Sequence, residues 1–355
     1  MTVKYRVDPE KHRLLPYLNM MKRKLYENNE DLAIKTGHLE IGLTNTGACN
    51  LRCKFCFFPP ESQPKVFLPF DSLVNIKDMD PKVIEFSDAG EASLYRDGKH
   101  TFDDVVGFLV DLLDPVEFRL VTNGVVIPRG NWQEELNWVR LSINAATRET
   151  YQEVCGRDFF QIVMKNMARY LEGPIPNVGA SFVYLRDNVE EAAFFVEELY
   201  DIASGIEGGL DKLFVRFTPV ITKNPDFIST HDQVRKVKKE FEKLKSKGMS
   251  KFLKEKTSYH KIVYREGTCT VGAGIVKIPC YLSLGLRVIF ADGNIYPCNA
   301  PYPDRTVLGN IISYNRDKLA RNSLSFNQKN PCYGEQCFFL DQLEEIQGKL
   351  LGYSS

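Results

Sequence analysis

From residue 39 to residue 219 the chain alternates short apolar runs with stretches whose apolar residues recur at helical spacing. The runs Leu39–Asn45, Val83–Asp88, Glu117–Asn123, Val139–Asn144, Val178–Tyr184 and Lys212–Pro219 predict strands. Phe70–Lys77, Phe102–Leu113, Phe159–Leu171 and Val189–Ile202 predict the helices between them. Such alternation belongs to an α/β fold with a parallel sheet. Six units are too few for a closed eight-fold barrel and suit an open one, a partial (β/α)6 TIM-like barrel over residues 39–230. Residues 1–38 read as a helical cap in which Leu14–Tyr26 is periodic, with no winged-helix unit in evidence. Residues 231–257 form a basic linker helix with ten Lys and Arg from Arg235 to Lys256; Val234, Val237, Phe241, Leu244, Phe252 and Leu253 mark its buried side. A solvated amphipathic face explains the charge, and a site for an anionic substrate is the alternative. In residues 258–355 the segment Gly285–Cys298 alternates around Asp292-Gly293, a hairpin signal that opens a small C-terminal α+β extension.

Composition narrows the function. Hydrophobic residues make up 43% and charged residues 26% of 355, so the chain is expected to fold throughout. Forty-six basic residues balance forty-six acidic ones, leaving no global positive field for a polyanion, and nucleic acid is not the expected partner. A charged N-terminus and the lack of any long uncharged apolar run predict no membrane span and a soluble, cytoplasmic protein.

Cysteine usage changes the picture most. Of nine cysteines, three fall at 49, 53 and 56 and five lie at 269, 280, 298, 332 and 337. An odd number in a chain without a secretion signal speaks for metal binding or thiol chemistry over a disulfide framework. Cys155, standing apart, suits a buried small hydrophobe. Cys49, Cys53 and Cys56 follow directly on the first strand and so sit at its carboxyl end, where parallel-sheet enzymes bind ligands. Three thiolates can hold three irons of a 4Fe–4S cube and leave the fourth iron open. Zinc is the competing metal, but no fourth Cys or His lies nearby; His38 is on the far side of the strand.

The spacing Cys-x3-Cys-x-aromatic-Cys, with Phe55 in the aromatic place, resembles the signature of the radical SAM superfamily. That resemblance implies a SAM-binding 4Fe–4S cluster on these three cysteines. S-adenosyl-L-methionine would complete the fourth iron and be cleaved reductively to a 5′-deoxyadenosyl radical that abstracts hydrogen. It also implies an electron donor such as flavodoxin or ferredoxin. Ser87-Asp-Ala-Gly-Glu91 resembles the family's Gly-Gly-Glu stretch, which holds the methionine amino group; Gly90 and Glu91 match and Ala89 departs. Thr122-Asn123-Gly124 ends the third strand as in many members. Ser142-Ile-Asn144 resembles the family's Ser-Ile-Asp at the fourth strand end, which implies contacts from Ser142 and Asn144 to the cofactor's ribose or carboxylate. Arg157 falls near the position of a carboxylate-binding arginine, and Arg186 after the fifth strand is a weaker candidate of the same kind. Each of these residues also suits an ordinary turn.

Cys280 and Cys298 flank the hairpin, Gly293 precedes Cys298 at Gly-x4-Cys spacing, and Cys332 and Cys337 follow. Four thiolates in this order can enclose a fully ligated cube, and the pattern resembles the twitch extension, the short form of the SPASM extension. An auxiliary 4Fe–4S cluster is thereby implied. Cys332-x4-Cys337 is wider than the usual last pair, which leaves the fourth ligand open to Cys269; a zinc ribbon is the other use of four thiolates. Cys269 itself is a buried thiol, a ligand, or a catalytic hydrogen donor to a substrate radical.

A carbon radical leaves by losing an electron, which oxidises the substrate, or by regaining hydrogen on the other face, which epimerises it. A nearby cluster serves the first exit and a thiol the second. The function expected is a radical SAM oxidoreductase or epimerase acting on a small polar metabolite such as a sugar, cyclitol or nucleoside in natural-product biosynthesis. Radical modification of a ribosomally made peptide is the runner-up. A non-catalytic iron–sulfur electron carrier is the reading from another class.

Overall fold

A computed structural model describes residues 29–56, 63–87, 89–113, 115–220, 224–258, 285–298 and 306–329. In chain order the elements that place the site are α1 (Glu30–Ile34), β1 (His38–Ile41), β2 (Val83–Phe86), α2 (Phe102–Leu112), β3 (Glu117–Thr122), β4 (Leu136–Ser142), α3 (Arg148–Cys155), α4 (Phe160–Glu172), β5 (Val178–Tyr184), α5 (Ala192–Ser204) and β6 (Leu213–Pro219). They are followed by α6 (His231–Leu244), α7 (Ser250–Lys256), β7 (Leu286–Ile289), β8 (Asn294–Tyr296), β9 (Gly309–Asn310) and α8 (Arg316–Lys329).

Strands β1 to β6 pair in sequence order and in parallel, as six βα units require. Among the described residues the sheet nevertheless has nine strands, in the order β9-β8-β7-β1-β2-β3-β4-β5-β6. The hairpin around Asp292-Gly293, expected to open a separate unit, extends the barrel sheet instead. Its first strand lies parallel to β1, with Leu39 opposite Arg287 and Ile41 opposite Ile289. Gly42 N–H then donates to the Ile289 carbonyl at 2.8 Å.

The local differences have physical causes. Residues 70–79 tighten into a 3-10 turn, and the unpredicted α3 is a short helix whose Thr147 cap accepts from the Thr150 N–H at 3.3 Å. The basic segment is two helices, because Gly248 takes a left-handed φ of 91° within the turn that joins α6 to α7. Its six expected apolar residues are all buried. Its lysines pair with nearby carboxylates, among them Lys243 with Glu240 at 2.7 Å and Lys245 with Glu242 at 2.6 Å. This is the solvated face that the bland explanation required. No described helix is long and apolar enough to cross a membrane.

Each barrel strand is two-sided. Leu39, Ile41, Ile84, Phe86, Phe118, Leu120, Val139 and Leu141 belong to one continuous apolar core with the helices. Their neighbours in sequence, Glu40, Glu85, Arg119 and Arg140, point to the opposite face, since side chains alternate along a strand. Hydrophobic burial therefore holds the helices to one face of the sheet and leaves the other polar.

Candidate functional site

Beyond β1 the chain makes a 3-10 turn at Thr46–Ala48 and enters the cysteine loop. That loop is zipped to the end of α3: Arg52 N–H donates to the Cys155 carbonyl at 2.9 Å and Lys54 N–H to the Val154 carbonyl at 3.0 Å. Arg52 Nη1 bridges the carbonyls of Cys49 and Leu51, at 2.8 and 2.7 Å. Lys54 ties the loop outward to Glu153 at 3.0 Å and to Asp187. The backbone is thus fixed on both sides of Cys53.

The three sulfurs feel one another. Burial pushes the Cys49 thiol up to about 12, and the nearby Glu91, Cys53 and Cys56 push it the same way, while the Leu51 N–H opposes. Contact with the Cys155 thiol, and then burial, raises Cys53. Such a set is poorly suited to standing as free thiolates, and well suited to a metal whose binding displaces the protons. Cys155 is buried, as expected for a small core residue, with its Sγ 3.7 Å from the Ile143 carbonyl. It also forms the floor beneath Cys53.

Glu91 lies beside this loop and is almost wholly buried, at 3% exposure. Burial raises its pKa, and hydrogen bonds act against that rise. Its carboxylate accepts from Ser93 N–H at 3.0 Å, Thr122 Oγ1 at 2.7 Å and Asn123 N–H at 2.6 Å. Its own N–H donates to Thr44 Oγ1 at 2.8 Å. Asn123 links the two parts of the site, its Nδ2 donating to Asn50 Oδ1 at 2.5 Å and lying 4.0 Å from Cys49 Sγ. The ends of β1, β2 and β3 thus converge on one carboxylate and one set of thiols. Gly90 makes that convergence possible: at φ +93° a Cβ there would lie 2.3 Å from Thr44 Oγ1 and 2.5 Å from the Asn45 carbonyl oxygen.

The other sequence candidates divide. Phe55 and Cys56 are half-buried on the same loop, and Phe55 packs on the core. Ser142 ends β4 with its Oγ 3.2 Å from Ser181 Oγ. Asn144 is buried at a left-handed φ of 62°, and its Oδ1 accepts from Val183 N–H at 2.8 Å, so this side chain latches β4 to β5. Arg157 is exposed just past α3. Arg186 is engaged elsewhere: its guanidinium donates to the carbonyls of Ile228 at 3.2 Å and Pro225 at 3.1 Å, which closes the loop after β5. Cys298 is half-buried two residues after β8. Cys269, Cys280, Cys332 and Cys337 lie outside the described residues.

Sequence inspection missed the polar face of the barrel. Glu40, Glu85 and Arg119 are successive register partners across β1, β2 and β3. His38 Nε2 lies 3.8 Å from both Glu40 Oε1 and Glu85 Oε2. The signal was one ionisable residue in the middle of most strands, masked by the apolar residues on either side.

Comparison with known proteins agrees with this geometry. Residues 45–199 match the model of the radical SAM superfamily. A protein of Saccharolobus islandicus named "Probable GTP 3′,8-cyclase" is 24% identical over 216 residues, 59% of this chain and 66% of that relative. A protein of the same name from Saccharolobus solfataricus matches to the same extent. The matched stretch thus spans a little under two thirds of these relatives' own length. Among solved structures, Streptococcus suis SuiB bound to S-adenosylmethionine aligns with a TM-score of 0.55 at 16% identity, covering 84% of this chain and 67% of that one. Native anSMEcpe with bound AdoMet aligns with a TM-score of 0.55 at 18% identity, covering 89% and 97%. At these identities the likeness is one of fold.

Proposed function

Since residues 45–199 form a radical SAM domain, which works with a 4Fe–4S cluster and S-adenosylmethionine, we propose that Cys49, Cys53 and Cys56 hold that cluster and Glu91 orients the cofactor. The observation that carries this reading is the junction of three half-buried thiols on one loop, two of them acting on Cys49, with one buried carboxylate, linked through Asn123. When bound, the cluster and cofactor supply a 5′-deoxyadenosyl radical able to take hydrogen from carbon. The chain's own residues do the positioning. Ser93, Thr122 and Asn123 fix the Glu91 carboxylate and occupy three of its four lone pairs, which leaves one on Oε2 to receive a cationic ammonium. Phe55 shields the loop; Gly90, Ser142 and Asn144 shape the wall along the strand ends; Arg157 is the cation available to a carboxylate. Arg186, spent on the loop at 225–228, is left out of this set.

The substrate we propose is a small polar metabolite. The name carried by the Saccharolobus relatives denotes action on a nucleotide, and the polar barrel face suits a hydrophilic guest. Oxidation and epimerisation are the outcomes favoured, with Cys269 as hydrogen donor in the second. Cys280, Cys298, Cys332 and Cys337 are proposed to hold an auxiliary 4Fe–4S cluster that serves the first. Modification of a peptide is the second reading, because SuiB of the same fold was solved bound to precursor peptide SuiA. Anaerobic reconstitution with S-adenosylmethionine and a reductant tests the core of the proposal. 5′-Deoxyadenosine should form in the native chain and vanish in Cys53→Ala. A reconstituted protein that cycles electrons but forms none would be an iron–sulfur carrier. The product mass then separates loss of two hydrogens from no change.

A further inference from the structure

Arg119 and Trp138 are register partners on β3 and β4, on the face turned away from the helices. Both are almost wholly buried, at 2% and 3% exposure. Arg119 Nε donates to Glu117 Oε1 at 2.7 Å, an ion pair between residues two apart on the same strand. Its carbon lies 5.6 Å from the Trp138 ring centroid, and that of Arg140 lies 5.2 Å from the same ring. Across Gly179, which supplies no side chain, Phe214 meets Trp138 edge-on with centroids 6.0 Å apart.

Two donors in this cluster are unused. Arg119 Nη1 and Trp138 Nε1 are buried and find no acceptor among the described residues. A buried N–H without an acceptor is costly, and more so on a cation. Two of them on adjacent strands, with a second guanidinium against the same ring, call for a guest rich in lone pairs and negative charge. Glu117 pairs with the Nε of Arg119 and leaves its Nη1 and the Trp138 N–H as two donors beside two guanidinium groups, an arrangement that one anion with several oxygens can satisfy together. We infer that Arg119 and Trp138, backed by Arg140, form a binding site for an oxyanion, the phosphate or carboxylate group of the substrate.

Its place in the barrel fits that use. Arg119 precedes Thr122 by three residues, so it lies about 10 Å along β3 from the level of Glu91. A substrate anchored there by its anionic end would reach the cysteine loop with a carbon about one nucleoside's length away. This deepens the radical SAM reading by naming the substrate class, yet Arg119 and Trp138 do not depend on the cluster.

Isothermal titration of the full chain with inorganic pyrophosphate and, separately, with citrate, each against sodium chloride at equal ionic strength, tests it. Saturable binding of one probe but not of chloride is expected, pyrophosphate indicating a phosphate group and citrate a carboxylate. Arg119→Gln should weaken it about 10-fold or more, as loss of a charge-assisted bond does. Trp138→Phe keeps the ring and the charge, removes only the N–H, and should weaken binding several-fold; it serves if Arg119→Gln fails to fold by circular dichroism. The Cys49→Ala, Cys53→Ala, Cys56→Ala triple variant should bind the probe as the native chain does, so failure of the cluster assignment leaves this result standing. No saturable binding of either probe, or equal affinity in the native chain and Trp138→Phe, overturns the inference.

Discussion

Replacing Gly90 by Ala tests whether the close approach of β1 and β2 builds the site. Two effects add at this position. The first is conformational: φ +93° is left-handed backbone, which costs a residue with a Cβ roughly 1–2 kcal/mol. The second is contact. The added carbon would meet Thr44 Oγ1 at 2.3 Å and the carbonyl oxygens of Asn45 and Thr44 at 2.5 and 2.7 Å. The hydroxyl can rotate, but it then deserts the buried Glu91 N–H, at about 1–3 kcal/mol. The carbonyls cannot rotate, and relieving them shifts backbone at about 1–3 kcal/mol, as overpacking does. Gly98 provides the control: it too is left-handed, at φ +57°, but nothing lies within 4 Å of its added carbon. Gly98→Ala should therefore show the conformational cost alone, and Gly90→Ala about 2–6 kcal/mol more. That excess is a large part of the roughly 5–15 kcal/mol by which domains are stable. Urea denaturation of the cluster-free protein, followed by circular dichroism, measures both. Equal midpoints for the two variants would refute the claim that Gly90 is required by contact with Thr44 and Asn45.

Three further outcomes follow from the same geometry. With Cys49 pushed from 9.0 up to about 12, its thiolate fraction in cluster-free protein is about a thousandfold below that of an ordinary thiol; iodoacetamide at pH 8, read by peptide mass spectrometry, should label it correspondingly slowly, and labelling at a model thiol's rate would contradict its burial. Burial raises Glu91, so its contribution to stability is full below 4.5 and is lost as pH rises through the folded-state value; Glu91→Gln should flatten that part of the Tm–pH profile while abolishing S-adenosylmethionine binding, and an unchanged profile would count against the buried charge. Arg186→Ala should lower Tm modestly by freeing the loop at 225–228, yet leave S-adenosylmethionine affinity within about twofold, the scale of a bond not made. A tenfold loss by equilibrium dialysis would return Arg186 to the cofactor.

What the sequence disclosed, and what it hid, follows from the range of each interaction. The six barrel strands and the cysteine loop were legible because they rest on local patterns: period, spacing, and a short turn after β1. Glu91 was found through the resemblance of Ser87–Glu91 to the family's Gly-Gly-Glu stretch, a short contiguous motif that Gly90 matches and Ala89 does not. Arg186 could not be judged, because its partners at 225 and 228 are supplied by a loop some forty residues on. The union of β7 with β1 was equally hidden; a hairpin signal gives the pair its turn but says nothing about which distant edge it will join.

The polar barrel face is the most instructive omission. Strands buried on both sides are expected to read as continuous apolar runs, and against that pattern Glu40, Glu85, Arg119, Arg140 and Arg216 look like mere interruptions. Their spacing shows otherwise. Each occupies the register position turned from the helices, where its mutation would not touch the core, while Leu39, Ile84, Phe118 and Val139 on the other face hold the fold. An ionisable residue in mid-strand is costly unless paired or serving a guest. Its repetition on one face of neighbouring strands therefore marks a lined interior. Stability and recognition are thus divided between alternate residues of the same strands, and substitutions on the two faces should fail in different assays: denaturation midpoint for the apolar set, ligand affinity for Arg119 and Trp138.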